Sequence, residues 1–111
     1  MDEYPRRIKK QLRTLLGEAY TRELTRELRQ LAAHFEEWQA GEISAGELSS
    51  LIHAYDVGPS RDMFRFYNNI SPVMVVGRAV AEGLLTLEDI PEEVWPYIEN
   101  AMEFFREGME D

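Results

Sequence analysis

Histidine and carboxylate at helical spacing are the first residues in this chain that could do chemistry. His34-Phe35-Glu36-Glu37 and His53-Ala54-Tyr55-Asp56 each set an imidazole three residues before an acid. On a helix such residues are neighbours, and imidazole with carboxylate is the donor set of many metal sites. His34, Glu37 and His53 are therefore the candidate metal ligands. Their order argues against the role. Carboxylate-bridged bundle sites use Glu-x-x-His pointing inward from facing helices, and here histidine comes first. At 100° per residue His53 lies away from the face made by Leu48, Leu51, Ile52 and Tyr55, and His34 only flanks the stripe of its own helix. A calcium loop with Gly41 at its sixth position would need oxygen donors at Trp38 and Ala40, which have none. Two ordinary, partly exposed histidines are the expectation.

The stretch HAYDVGPSRDMFRFYNN, residues 53–69, poses a second chemistry. It reads as a helix, a corner at Asp56-Val57-Gly58-Pro59 and a further helix carrying Arg61, Arg65, Asn68 and Asn69. Guanidinium and amide groups of this kind read guanine and adenine edges in helix-turn-helix proteins. Pro59 and the bulky Phe64 fit that motif poorly. Residues 42–70 also hold four acids against two arginines, which disfavours a phosphate backbone. A structural corner is the stronger reading, and nucleic acid is not the expected partner.

Charge is divided along the chain. Residues 1–33 hold eight Lys/Arg and five Asp/Glu; residues 34–111 hold four and sixteen. Arg6, Arg7, Lys9, Lys10 and Arg13 crowd one helix start, where they oppose the macrodipole and repel one another at i,i+4. An acidic counterpart is expected, in the same chain or in a second copy, with a membrane surface, a nucleic acid or an acidic partner as the alternatives. Arg78 stands in the most apolar segment and is expected to pair with an acid such as Glu82. No Gly-x-Ser-x-Gly elbow, no phosphate-cradling glycine loop and no cofactor motif occurs. With no cysteine among the 111 residues, thiolate chemistry, disulfides and Cys-based zinc sites are excluded.

Positioning these residues falls to helices. Ile8, Leu12, Leu15, Leu16, Ala19, Tyr20, Leu24, Leu28, Leu31, Phe35 and Trp38 recur every three or four residues, which predicts one helix of about 34 residues, in phase through Gly17. At 1.5 Å per residue it would span about 50 Å. A compact domain of this size has a radius of gyration near 13 Å, so part of the helix must project or pack on another chain. Gly41 ends it. Ser44 and Glu47 form a capping box for a second helix from Ala45, antiparallel to the first. A third helix is expected over about 61–67. Ser71-Pro72 opens a fourth that is apolar all round and so buried, ending at Gly83, with Gly77 allowing a neighbour close. Pro91 and Pro96 suggest a short turn and then a last helix from about Pro96 to Gly108, with Trp95, Tyr97, Phe104 and Phe105 widening its apolar face.

The reading is a single all-α domain over 1–111, a bundle of four to five helices in which a long first helix and the second form a hairpin around a buried central helix. The polar N-terminal dozen has no signal-like apolar core and no run reaches the roughly 20 apolar residues of a membrane span, so a cytoplasmic location is expected. The functional expectation is a small acidic, non-enzymatic interaction or regulatory module, a homodimer. Arg6, Arg7, Lys9, Lys10, Arg13, Trp95, Tyr97, Phe104 and Phe105 are its candidate partner-binding residues. Helix-turn-helix DNA binding and metal binding are the alternatives.

Overall fold

A computed structural model describes residues 4–110. All regular structure among them is helical: α1 (Arg6–Gln39), α2 (Ala45–Tyr55), α3 (Arg61–Asn69), α4 (Pro72–Ala81) and α5 (Trp95–Glu110). Two 3₁₀ turns, Leu87–Asp89 and Glu92–Val94, connect α4 to α5.

α1 is an unbroken helix of 34 residues, entered directly after Pro5 and passing through Gly17. At about 1.5 Å per residue it is ~51 Å long, close to the molecule's full 54 Å extent. The radius of gyration is 17.2 Å, well above the ~13 Å of a compact chain of this length. Its apolar stripe does not keep one phase. Many of its steps are four residues, and each such step advances the stripe roughly 40° round the helix. The N-terminal half therefore turns Ile8, Leu12, Leu15 and Ala19 into the main core and Leu24 still packs against its edge, while Leu28, Leu31, Phe35 and Trp38 point elsewhere, toward and beside α2.

The main core sits at one end of the molecule. α4 is its centre, with Val75, Val76, Gly77, Ala79 and Val80 buried. Met63, Tyr67, Leu84, Leu85, Ile90, Val94 and Ile98 close round it. Gly77 explains how α5 fits: a Cβ there would lie 2.5 Å from the Cβ of Ala101, so only glycine lets the two backbones meet. Ser71 caps α4, accepting from Met74 N–H at 3.4 Å. Gly83, with φ of +81°, turns the chain after it in the left-handed conformation that suits glycine.

The other end is a two-helix arm. Gly41, φ +79°, reverses the chain. The Ser44–Glu47 capping box forms in both directions, at 3.0 and 3.1 Å. α2 then runs back along α1, where Leu31 and His34 share a cleft with Leu51, Tyr55 and Pro59. Leu48 is the one buried residue of α2.

The corner expected at Asp56–Pro59 does not exist. Residues Asp56–Ser60 form a π-helical turn. Tyr55 (φ −62°, ψ −46°), Asp56 (−63°, −47°), Ser60 (−62°, −48°) and Arg61 (−67°, −43°) all stay in the right-handed helical region. Proline lacks the N–H that an α-helix needs and clashes with the carbonyl four residues back. The wider π turn inserts an extra residue and relieves that clash. α2, the π turn and α3 are thus one helical rod lying along α1.

Candidate interaction surfaces

Most of the conspicuous charges are engaged inside the chain. Glu23 on α1 accepts a 2.7 Å hydrogen bond from the buried hydroxyl of Tyr67 on α3 and a longer one, 3.5 Å, from Arg78 on α4. Arg78 also donates through Nε to Glu82 at 2.9 Å, as its sequence context implied, and lies 4.2 Å over the Phe66 ring. Tyr20 stacks on Tyr67 at 4.6 Å. Burial and then the Glu23 carboxylate push the Tyr67 phenol up from its usual range. The cluster ties three helices together at the edge of the core. Both its acid and its base are satisfied, so it is a structural junction.

A second junction joins α1 to the connection before α5. Arg22 Nη1 donates to the Leu84 carbonyl at 2.9 Å and to Asp89 Oδ2 at 3.0 Å, and its Nε donates to Glu18 at 3.0 Å. Asp89 accepts from the backbone N–H of Thr86 at 2.8 Å. That N–H, and then Arg22, hold the Asp89 carboxyl down at about 2. The crowded basic start is partly answered in the same way: Arg7 meets Glu93 at 2.9 Å, and Gln11 donates to the same acid at 2.7 Å. Arg6, Lys10 and Arg13 stay exposed on one face of α1 that they share with Lys9.

The two chemical alternatives lose their geometry. His34 and Glu37 pair at 2.6 Å on α1, but His53 is exposed on α2 and does not join them. Among the described residues no group of three or more His, Asp or Glu side chains is arranged to hold a metal ion. Without a corner, residues 53–69 offer no separate recognition helix. The amides of Asn68 and Asn69 donate back to the carbonyls of Phe64 and Arg65 at 2.7 and 2.8 Å. Arg61 and Arg65 are exposed beside them.

The aromatic residues of α5 do not form one open face. Trp95 donates to the Ile90 carbonyl at 3.0 Å, and Tyr97 packs edge-on against Tyr4 at 5.3 Å. Phe105 is half-buried, and Phe104, which meets it edge-on at 5.1 Å, is exposed.

A further set of exposed apolar residues lies on the arm. Leu28 and Phe35 on α1, Ile52 on α2 and Phe64 on α3 are all exposed, Phe64 at 61% and Leu28 at 45%. On helical wheels each sits roughly 70–90° round, in the same sense, from the side its helix turns to its partner. Equal offsets on antiparallel helices fall on one side of the pair. Phe66, which meets Arg78 of α4, is displaced in the opposite sense. The exposed apolar strip therefore lies on the side of the hairpin away from α4. Phe35 and Trp38 could be seen in the sequence as part of a stripe. That the stripe lacks a cover follows only from the arm having two helices.

No family model, curated protein or solved structure matches this chain. No helix among the described residues is long and apolar enough to cross a membrane.

Proposed function

We propose that the protein is a non-enzymatic interaction module that works as a homodimer, with the uncovered apolar side of the α1/α2–α3 arm as its docking surface. The observation that carries this reading is the arm itself. Helices bury an apolar stripe by packing in at least two layers, and a two-helix arm shields only the line between its members. Leu28, Phe35, Ile52 and Phe64 remain in solvent together. A contiguous apolar surface of this kind marks an interaction site. The arm is favoured over α5 because Trp95 and Tyr97 already have partners within the chain. DNA reading has no comparable support, since Asn68 and Asn69 are bonded to their own helix.

Sedimentation equilibrium of the full chain tests it. A dimer is expected at micromolar concentration, and Phe35→Glu is expected to give monomer with unchanged helical circular dichroism, while Phe104→Ser leaves the dimer intact. A monomer at all concentrations, or a dimer indifferent to Phe35→Glu, overturns the reading.

A further inference from the structure

α1 carries a pattern that its own fold explains only in part, through Leu24 at the edge of the core and Leu31 beside α2. Thr14, Gly17, Thr21, Leu24, Leu28, Leu31, Phe35 and Trp38 follow one another at alternating steps of three and four. That is the heptad seam of a coiled coil. Along it the first three residues are small and the last five large. Gly17 is the least expected member: glycine is, after proline, the poorest residue for a helix interior. Among the described residues, its chain neighbours and its own helix backbone aside, nothing comes within 4 Å of where its Cβ would stand. No neighbour in the fold requires a glycine there, in contrast to Gly77.

We infer that a second copy of this chain packs antiparallel along this seam, about a two-fold axis level with position 26 of α1, with Phe35 of each copy seated over Gly17 of the other. This rests on the arm being the dimer surface and adds its register. Only in that register does every residue of the seam, Thr14 to Trp38, find a partner within the seam. Phe35 meets Gly17, Leu31 meets Thr21, Leu28 meets Leu24 and Trp38 meets Thr14, each pair centred on position 26. Large residues meet small ones in three of these four pairs, with the two leucines meeting nearest the axis, as interlocking layers allow. The isologous arrangement supplies each contact twice. Charge agrees. Lys10, on the same side of α1 one heptad before Gly17, comes level with Glu42 at the partner's hairpin turn, so the exposed basic start faces an acidic tip. The reverse, parallel pairing sets Lys10 on Lys10 and Phe35 on Phe35.

The size is sufficient. Residues 14–38 span about 37 Å of helix, and a strip about 15–20 Å wide along them, including Ile52 and Phe64, covers roughly 550–750 Å² on each copy. Two such strips exceed the ~1,000 Å² of total burial below which specific interfaces are rare.

Gly17→Gln separates this register from a helix effect. The substitution improves helix propensity, so Tm is expected to rise by about 4 °C under monomeric conditions. Its side chain occupies the seat of Phe35, so the dimer dissociation constant is expected to rise at least about tenfold. Unchanged or tighter association overturns the register. Because the chain has no native cysteine, crosslinking gives an independent reading. With a short bis-maleimide, Lys10→Cys mixed with Glu42→Cys is expected to give crosslinked dimer, and Lys10→Cys alone none. Crosslinking of Lys10→Cys to itself indicates parallel pairing and sinks the inference, while a dimer still lost in Phe35→Glu keeps the arm as the docking surface. A chain that is monomeric in every arm refutes both.

Discussion

At the scale of single residues, the charges matter mainly as fasteners. Arg22 is the clearest case, because it reaches a backbone carbonyl, an acid on its own helix and an acid 67 positions away. Asp89 in turn closes the Thr86 capping box. Its carboxyl titrates near 2, below the ordinary aspartate value near 3.9. A depressed carboxylate contributes stability that is present above the unfolded value and lost as the pH falls through the folded one. Stability should therefore decline between about pH 4 and pH 2, and Asp89→Asn should flatten that part of the profile by removing its titration. Urea midpoints taken at half-unit intervals through this window, for both proteins, check it; parallel profiles would mean that Asp89 does not titrate as described. Tyr67 acts at the other end of the scale. Its phenol is favoured in the neutral form by burial, so it penalises the fold only as the pH rises above the ordinary tyrosine value near 10.

At the scale of elements, local chemistry fixes starts and stops, and tertiary packing decides what lies between. Ser44 with Glu47, Ser71 with Pro72, and Gly41 and Gly83 mark ends in the sequence that are ends in the fold. The caps differ in strength. The Ser44 box is reciprocal, with bonds of 3.0 and 3.1 Å, while Ser71 makes one bond at 3.4 Å. Ser44→Ala is accordingly expected to cost about 1 kcal/mol and Ser71→Ala less, measured as shifts in urea midpoint with unchanged slope; the opposite order would contradict the bond geometry. Asp56–Ser60 shows where local signals mislead. Gly-Pro is turn chemistry, but α1 offers the rod a continuous surface, and one extra residue in a π turn lets proline stay on it. The winding of the α1 stripe was equally hidden, since each four-residue step looks helical and only their accumulation divides the helix between two partners. The candidate surface was half visible for the same reason. Phe35 and Trp38 stand in a helical stripe, but Ile52 and Phe64 join them only after the corner becomes a rod.

At the scale of the whole molecule, a densely packed head and a thin arm share one helix, and their stabilities should differ. The head packs round α4, with Val76 of α4 and Val94 and Ile98 beyond it at 0% exposure. The arm has Leu48 as its one buried residue in α2. Protection of backbone amides follows the apolar contacts that must be broken to expose them. Amides of α4 and of the N-terminal half of α1 should exchange only on global unfolding, whereas those of α2 and of α1 beyond about Leu28 should exchange by local opening of the arm. A second copy seated on the arm would oppose that opening but add little to the head, because binding stabilises only the conformations that it requires. Hydrogen exchange read by mass spectrometry at two protein concentrations, about a hundredfold apart across the dimer dissociation constant, should then slow in the arm by several-fold, at most about tenfold, and change much less in α4. Arm exchange independent of concentration, in a range where sedimentation shows dimer, would move the contact off the arm and onto another surface, of which exposed Phe104 on α5 is the next candidate.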